Sequence, residues 1–256
     1  MILDVQNLSF SYDKKRTIFH DVSFSLDKGE VLSILGTNGA GKSTLLNCIA
    51  NLLKPKSGTI LLNGQPMTDM SMRDIAKVIG YVPQVHLPTY AFTVRDFTVM
   101  GRSPYIGAFG SPSKEDYAIA DDALNRLGIY HLRDKLYTEI SGGERQQVTI
   151  ARALTQQPQI ILLDEPTAHL DYGNQFRVVQ MVSQLADEGY ALIMTTHNPD
   201  HAIILNGKVA ILDRQGVLDV GLASDSLNGE TLSKLYGLSI KTVYDPDAGR
   251  NICVVV

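Results

Sequence analysis

One run of eight residues constrains the fold more than any other part of the chain: Gly36-Thr37-Asn38-Gly39-Ala40-Gly41-Lys42-Ser43. The compact apolar residues 31–35 before it predict a buried strand, and residues 43–53 after it predict a helix. That helix is expected to end before Lys54-Pro55, because proline disfavours helical conformation in the residue before it. Glycines let several backbone N–H groups point at one anion, and a helix start adds the positive end of its dipole. The run therefore predicts a strand, a phosphate-binding loop and a helix.

The chemistry of this loop follows from its sequence pattern, G-x-x-x-x-G-K-[ST], in the strand-to-helix context that the pattern requires. Lys42 is expected to reach the β- and γ-phosphates, and the Ser43 hydroxyl is expected to ligate Mg²⁺. Thr44 can add a phosphate contact. By itself the loop specifies only a nucleoside triphosphate. The residues expected to contact it here are Gly36, Asn38, Gly39, Ala40, Gly41, Lys42, Ser43 and Thr44.

Further apolar patterns predict an α/β architecture. Buried-strand runs at residues 78–82, 160–163 and 191–195 suit a parallel sheet covered on both faces. Alternating residues 2–10 and 17–26 predict strands with one solvated face. Residues 208–213 and 217–221 predict a hairpin, and the tail alternates again at 240–244 and 252–256. Helical patterns, which together predict a helical insertion in the core, occur at residues 94–100, 114–127 and 144–155.

A pair of carboxylates marks a second part of the predicted site. Asp164 and Glu165 directly follow the buried run Ile160–Leu163, at the strand end where open α/β sheets bind ligands. Asp164 suits a Mg²⁺ shell, and Glu165 suits the orientation or deprotonation of an attacking water. An acidic pair at a strand end is often only solvated surface. The phosphate loop, and the turn that Pro166 forces next, favour catalysis.

The order of motifs resembles that of the ATP-binding-cassette (ABC) ATPases. Along the chain this order is the phosphate loop, Gln84, Ser141-Gly142-Gly143-Glu144-Arg145-Gln146, Asp164-Glu165, Asp171 and His197. The resemblance implies an α/β fold with a P-loop NTPase (RecA-like) core, an N-terminal antiparallel β-subdomain and an inserted α-helical subdomain. It implies ATP and Mg²⁺ as ligands. The expected division is one domain with the core in residues 1–83 and 158–256 and the helical insertion in residues 84–157.

The resemblance also assigns roles to residues on both sides of a dimer. Two ATP molecules would lie between two copies of the chain, with Ser141, Gly142 and Gly143 contacting the γ-phosphate held by the partner copy. The same residues open a predicted helix, so an ordinary N-cap is an alternative that does not exclude this role. Asp171 would cross the dimer interface. The departures are Glu144, where Gln is common, and His169 in the loop before Asp171.

Three further residues take their roles from the same resemblance. Gln84 would reach Mg²⁺ or water and link the core to the helical insertion. His197 would contact the γ-phosphate and Glu165, which places it with Gln84, Lys42 and Glu165 in the catalytic set. Tyr12 would stack on adenine, and Phe10 competes with it for that role.

Bulk properties restrict the partners. The formal charge of −4 and a pI near 5.8 give no overall basic field, so nucleic acid is not an expected partner. No stretch approaches the roughly 20 apolar residues that cross a bilayer, so a membrane role would require a partner. The start of the chain does not resemble a signal peptide. Cys48 and Cys253 lack metal-ligand spacing and are interpreted as reduced packing residues.

A single cassette resembles the ATPases of importers that dock onto a separate permease. Residues 100–105 and Tyr236-Gly237-Leu238 resemble the uptake ATPases for iron-siderophore, haem, cobalamin and, in some members, molybdate. This implies a peripheral subunit at the cytoplasmic face of the cell membrane, with permease subunits as partners and, indirectly, a substrate-binding protein. Residues 92–109 would receive the permease's coupling helix, although loop 102–112 could instead pack on its own subdomain. The alternative function is a soluble ABC ATPase without a permease, such as an iron-sulfur assembly ATPase.

Overall fold

The computed structural model describes residues 1–13, 16–84, 91–107 and 109–256. The strands of this part of the chain form a four-stranded, a six-stranded and a two-stranded sheet. They are β1 (Leu3–Ser11), β2 (Thr17–Leu26), β3 (Val31–Leu35), β4 (Ser57–Leu62), β5 (Gln65–Pro66), β6 (Ile79–Val82), β7 (Ile160–Leu163), β8 (Ala191–Thr196), β9 (Lys208–Leu212), β10 (Leu218–Leu222), β11 (Ile240–Asp245) and β12 (Arg250–Val255).

The α-helices alternate with the later strands. None of those in the described ranges is long and apolar enough to span a membrane. They are α1 (Lys42–Ile49), α2 (Met72–Val78), α3 (Val94–Val99), α4 (Lys114–Arg126), α5 (Gly142–Thr155), α6 (Tyr172–Asp187), α7 (Pro199–Leu205), α8 (Ala223–Ser226) and α9 (Gly229–Tyr236).

The six-stranded sheet has the order β10-β9-β3-β8-β7-β6 and is parallel except for β10. Both of its faces are covered, which explains the continuous apolar runs. In β7, Ile160 and Leu162 belong to one core cluster, and Ile161 and Leu163 belong to another on the opposite face. All four side chains are fully buried. The predicted parallel α/β core is therefore confirmed.

The N-terminal strands form a separate antiparallel sheet of order β2-β1-β4-β5. Along β1, the buried side chains Leu3, Val5, Leu8 and Phe10 join the core cluster that also contains side chains of α1, so this sheet covers α1 and the parallel sheet beyond it. The predicted N-terminal antiparallel unit is confirmed. Its strand β4, which pairs with β1, was not assigned from the sequence pattern.

Helices α3, α4 and α5 lie between β6 and β7 in sequence and share one apolar cluster. Arg102, which is 7% exposed, anchors the loop after α3. Its guanidinium pairs with Asp116 at 2.9 Å and donates to the carbonyl of Thr155 at 3.1 Å. The start of loop 102–112 therefore packs on its own helices, while Phe109 projects fully into solvent. We keep the division into 1–83, 84–157 and 158–256 as a proposal.

Two predicted boundaries are wrong for local reasons. Helix α1 ends at Ile49 instead of residue 53, because Asn51 takes a left-handed conformation with φ 58°. The N–H of Leu52 then donates to the carbonyl of Asn47 at 2.8 Å, which is a Schellman ending. Val78, predicted to begin a strand, is the last residue of α2, and β6 starts one residue later.

Candidate nucleotide site

A cavity of 530 Å³ opens at the carboxyl ends of the parallel strands, between the phosphate loop and the antiparallel sheet. The loop after β3 and the first turn of α1 supply six of the twelve lining residues. Such a volume suits a small polar ligand. The cavity is lined by Tyr12, Asp13, Arg16, Ile18, Asn38, Gly39, Gly41, Lys42, Ser43, Thr44, Gln84 and Glu165.

Two glycines of the loop lie where no other residue fits. At Gly36, an added Cβ would come within 2.7 Å of the carbonyl oxygen of Leu212 on β9. Gly41 has φ 107°, and its Cβ would lie 2.5 Å from a methyl of Ile18. The loop is therefore closed against β9 on one side and β2 on the other, and its backbone is held in a wrapped conformation.

Lys42 is buried inside this loop, with 4% of its side chain exposed. Its ammonium donates hydrogen bonds to the carbonyls of Gly36 at 2.9 Å and Thr37 at 3.4 Å. It also pairs with Glu165 Oε1 at 3.1 Å. A phosphate that reaches Lys42 must therefore compete with the Glu165 carboxylate.

Three hydroxyl groups lie close to the Asp164 carboxylate, one each from α1, β6 and β8. Ser43 Oγ donates to Asp164 Oδ1 at 3.0 Å, and Thr195 Oγ1 donates to the same oxygen at 2.7 Å. The Tyr81 hydroxyl approaches Oδ2 at 3.5 Å. Burial, followed by the charge of Asp164, raises the pKa of Tyr81 well above its ordinary value, so its hydroxyl stays protonated. The carboxylate is fixed beside the Ser43 hydroxyl.

Glu165 lies at the centre of the site and is 12% exposed. Its φ of 44° is a left-handed conformation that is costly for a residue with a side chain. Gln84 Nε2 donates to Glu165 Oε2 at 2.9 Å, and the Nδ1 atom of His197 lies 3.8 Å from the same oxygen. The structure therefore brings Lys42, Gln84 and His197 together on one carboxylate.

The two candidate aromatic residues occupy different environments. Phe10 is 6% exposed and stacks on Phe19 in the core, with ring centroids 6.0 Å apart. Tyr12 is 67% exposed, lines the cavity and places its hydroxyl 3.1 Å from Thr44 Oγ1. Of the two, Tyr12 is the residue available to a ligand.

Ser141 caps α5 in a reciprocal capping box. Its hydroxyl accepts from the Glu144 N–H at 3.3 Å, and Glu144 Oε2 accepts from the Ser141 N–H at 2.8 Å. The backbone hydrogen bond from Ser141 lowers the pKa of Glu144. Both the expected N-cap and an exposed helix start are therefore present. Glu144 stands where the family resemblance leads us to expect Gln, and it forms this capping box.

The first turn of α6 contacts the Ser141 turn through one side chain. Asp171 caps α6 by accepting from the backbone N–H of Asn174 at 2.9 Å, and this bond lowers the pKa of Asp171. The Asn174 amide lies so close to Gly143 that a Cβ there would approach it to 2.8 Å. Among the described residues, those lining the 530 Å³ cavity include neither Asp171 nor Ser141, Gly142 or Gly143. These four residues are not part of the chain's own cavity.

Several residues at the site were not assigned roles from the sequence. Tyr81 and Thr195 lie on strands adjacent to β7, and the parallel register brings them to Asp164. The sequence feature that could have identified them is a polar residue near the carboxyl end of each strand next to β7. Arg16 lines the cavity, and Asn174 donates to Asp171. No sequence pattern around Arg16 or Asn174 predicts these contacts.

Comparisons with known proteins show which family the chain resembles. The family described as ABC transporter matches residues 19–168. The molybdate import ATP-binding protein MolC of Haemophilus influenzae is 36% identical over 92% of this chain and 88% of its own length. The iron(3+)-hydroxamate import ATP-binding protein FhuC of Bacillus subtilis is 31% identical over 98% of this chain and 94% of its own.

A solved structure extends the similarity to the whole fold. A chain from an inward-facing transporter assigned to the metal-chelate ABC type superposes with a TM-score of 0.88 at 33% identity. The match covers 100% of this chain and 97% of that one. The P-loop NTPase core and the antiparallel sheet are thus shared with proteins of one family. The chain belongs to the ABC transporter family, as an ATP-binding and ATP-hydrolysing subunit.

Proposed function

We propose that this ATPase energises the import of a metal chelate or a related oxyanion through a separate permease. The observation that carries the catalytic part is the convergence of Lys42, Gln84 and His197 on the Glu165 carboxylate. The cargo class is supported by relatives named for iron-hydroxamate and molybdate import and by the metal-chelate transporter structure. The chain would act as a peripheral subunit at the cytoplasmic face of the membrane.

The residues at the cavity divide the work of phosphoryl transfer. Lys42 binds the β- and γ-phosphates, and the backbone N–H groups of residues 36–43 surround them. Glu165 orients the attacking water and accepts its proton, since its carboxylate is freed when Lys42 turns to the phosphate. His197 contacts the γ-phosphate from the other side of Glu165. Tyr12 supports the adenine ring.

The donor set beside the loop fits a magnesium ion. Ser43 Oγ and Asp164 Oδ1 lie 3.0 Å apart, and Gln84 lines the same cavity as Ser43. Hydroxyl, carboxylate and amide oxygens are hard ligands that Mg²⁺ accepts together with phosphate oxygens and water. When bound, the ion neutralises charge on the phosphates. Ser43, Asp164 and Gln84 are the residues that would hold it.

Two chains are proposed to share two ATP molecules in a head-to-tail dimer. Because Ser141, Gly142, Gly143 and Asp171 are absent from the lining of the chain's own cavity, they are available to the nucleotide of a partner copy. The Ser141 turn presents helix N–H groups to the γ-phosphate of that nucleotide. The Asn174 amide lies against Gly143 and donates to Asp171 Oδ2 at 2.6 Å, so the Ser141 turn and Asp171 lie close together.

Mixing two inactive variants tests this arrangement. Ser141→Asp keeps a good N-cap but sets a negative charge against the partner's γ-phosphate, and Lys42→Ala weakens nucleotide binding in its own chain. A mixed dimer contains one intact site only if Ser141 acts across the interface. We expect phosphate release from the mixture and little from either variant alone. Wild-type turnover by Ser141→Asp, or unchanged ATP affinity of Lys42→Ala by equilibrium titration, would contradict the assignment.

The permease is proposed to dock on the helical insertion. A second cavity, of 560 Å³, lies against α3 and the following loop, with Phe92 and Met100 on its wall. Phe109 beside it is fully exposed, and such apolar residues on a surface favour a protein partner. We expect the tagged chain to purify from solubilised membranes with an integral membrane protein, and Phe109→Ser to reduce that recovery. Leu52→Ser, at an exposed apolar residue beyond α1, is the control. Recovery of a cytosolic assembly factor instead would refute the importer.

A further inference from the structure

The main chain just after β8 is held by a side chain from a distant part of the fold. The Tyr236 hydroxyl donates a 2.9 Å hydrogen bond to the main-chain carbonyl of His197. His197 lies one residue beyond the end of β8 at Thr196, so the strand ladder does not fix it. Its imidazole is 56% exposed, and the Nδ1 atom lies 3.8 Å from Glu165. The direction of this side chain therefore depends on how its main chain is held.

Tyr236 is well placed to act as a fixed support. It is the last residue of α9, which Gly237 ends in a left-handed conformation with φ 69°. Leu232 of the same helix is fully buried in a cluster with Ile211 and with Leu35, the residue before the phosphate loop. Ser233 Oγ accepts from the N–H of Ile240 at 2.9 Å and ties the helix to β11. Helix α9 thus rests on the strand that carries the loop.

The hydroxyl, rather than the ring, makes the contact with the His197 loop. The Tyr236 ring packs at the edge of the Leu232 cluster, and phenylalanine would fill the same space. Burial raises the pKa of Tyr236 well above its ordinary value of 10.0, so the hydroxyl remains a donor at neutral pH. Packing alone does not require this donor.

We propose that Tyr236 is a positioning residue for His197: its hydrogen bond aims the imidazole at the γ-phosphate and Glu165. This inference rests on the role proposed above for His197. It makes α9, which does not line the 530 Å³ cavity, a determinant of the chemical step. Binding of ATP is not expected to depend on the hydrogen bond, because Lys42 and the loop residues hold the phosphates.

The test is the removal of one hydroxyl. Tyr236→Phe is expected to lower kcat for ATP hydrolysis roughly fivefold, as the loss of one hydrogen bond allows, with KM for ATP unchanged and the melting temperature lowered by at most about 4 °C. Tyr190→Phe is the matched control. Its hydroxyl contacts Arg126 at the opposite end of β8, away from the cavity, and no change in kcat is expected. An unchanged kcat in Tyr236→Phe, or a fall in melting temperature with a rise in KM, would overturn the proposal.

A second pair of variants separates this inference from the proposed function. His197→Ala is expected to lower turnover, and adding Tyr236→Phe to it is expected to lower turnover no further, because the tyrosine acts through the histidine. A full additional loss in the double variant would overturn the positioning role. Wild-type turnover in His197→Ala would instead refute the role proposed for His197, independently of the result for Tyr236.

Discussion

Replacing Glu165 by Gln keeps the shape of the side chain and removes the charge that faces Lys42 in the structure. In the wild-type chain that carboxylate lies 3.1 Å from the ammonium, and only 4% of the lysine side chain is exposed. The γ-phosphate of ATP must take this place. We therefore expect Glu165→Gln to lose hydrolysis and, in the same molecule, to bind ATP more tightly.

The size of both effects can be worked from the contact. A hydrogen bond to a charged group contributes about 1.5–3 kcal/mol. In Glu165→Gln the phosphate no longer has to displace a charged carboxylate from Lys42, so about this much free energy is gained on binding. This gain corresponds to roughly a tenfold to hundredfold lower Kd for ATP. Loss of the group that takes the proton of the attacking water lowers kcat by about 10²–10⁴-fold. Tighter binding and slower turnover are thus expected together.

Two measurements on one preparation check this. ATP affinity is measured by equilibrium titration before turnover, and kcat by phosphate release. Glu188→Gln, which removes a carboxylate that pairs with Arg126 at the surface, is the control and should change neither quantity. An ATP affinity of Glu165→Gln equal to or weaker than that of the wild type would refute the competition between carboxylate and phosphate. Wild-type turnover would refute the catalytic role.

Three further outcomes follow from local contacts. Gly41→Ala places a Cβ 2.5 Å from Ile18 in a residue with φ 107°. Urea unfolding should therefore show a free energy of unfolding lower by about 1–3 kcal/mol, and an unchanged midpoint would contradict the close packing of the loop. The lowered pKa of Glu144 means that its capping contact stabilises the fold above the ordinary glutamate value of 4.5 and is lost as the pH falls through the lowered pKa. The unfolding free energies of wild type and Glu144→Gln should therefore differ at neutral pH and converge in acid. A difference that persists in acid would show that the negative charge of Glu144 is not its cause. Burial raises the pKa of Cys48 to about 12, and the residue is only 1% exposed, so a thiol reagent at pH 8 should react with it only after unfolding; fast reaction in the folded chain would show that it is accessible.

The core of the fold, the phosphate loop and the place of the Asp164-Glu165 pair could be predicted because they rest on local patterns. The run Ile160–Leu163 is apolar throughout since both faces of β7 are covered, and the residue after it must then lie at the ligand edge of the sheet. Gly36 and Gly41 of the loop reflect close approaches by β9 and β2. In these places the sequence pattern and the packing have one physical cause.

The remaining features depend on contacts between distant segments. The early end of α1 follows from the left-handed conformation of Asn51, which apolar periodicity does not report. The hydrogen bond of Tyr236 to His197 and the contact of Asn174 with Gly143 join parts of the chain that only the completed fold brings together. No local spacing encodes either contact.

The position of β3 inside the parallel sheet also affects how the protein is made. Both strands that flank β3 come from much later in the chain: Val31 is paired with Leu192 on β8, and Leu32 with Lys208 on β9. During synthesis, β3 and the glycine loop behind it leave the ribosome long before either neighbour. Until Thr196 has emerged, the apolar strand β3 has two open edges, and one edge stays open until Leu212 has emerged; open edges favour aggregation or chaperone binding. A nascent chain of this protein should therefore acquire nucleotide binding late.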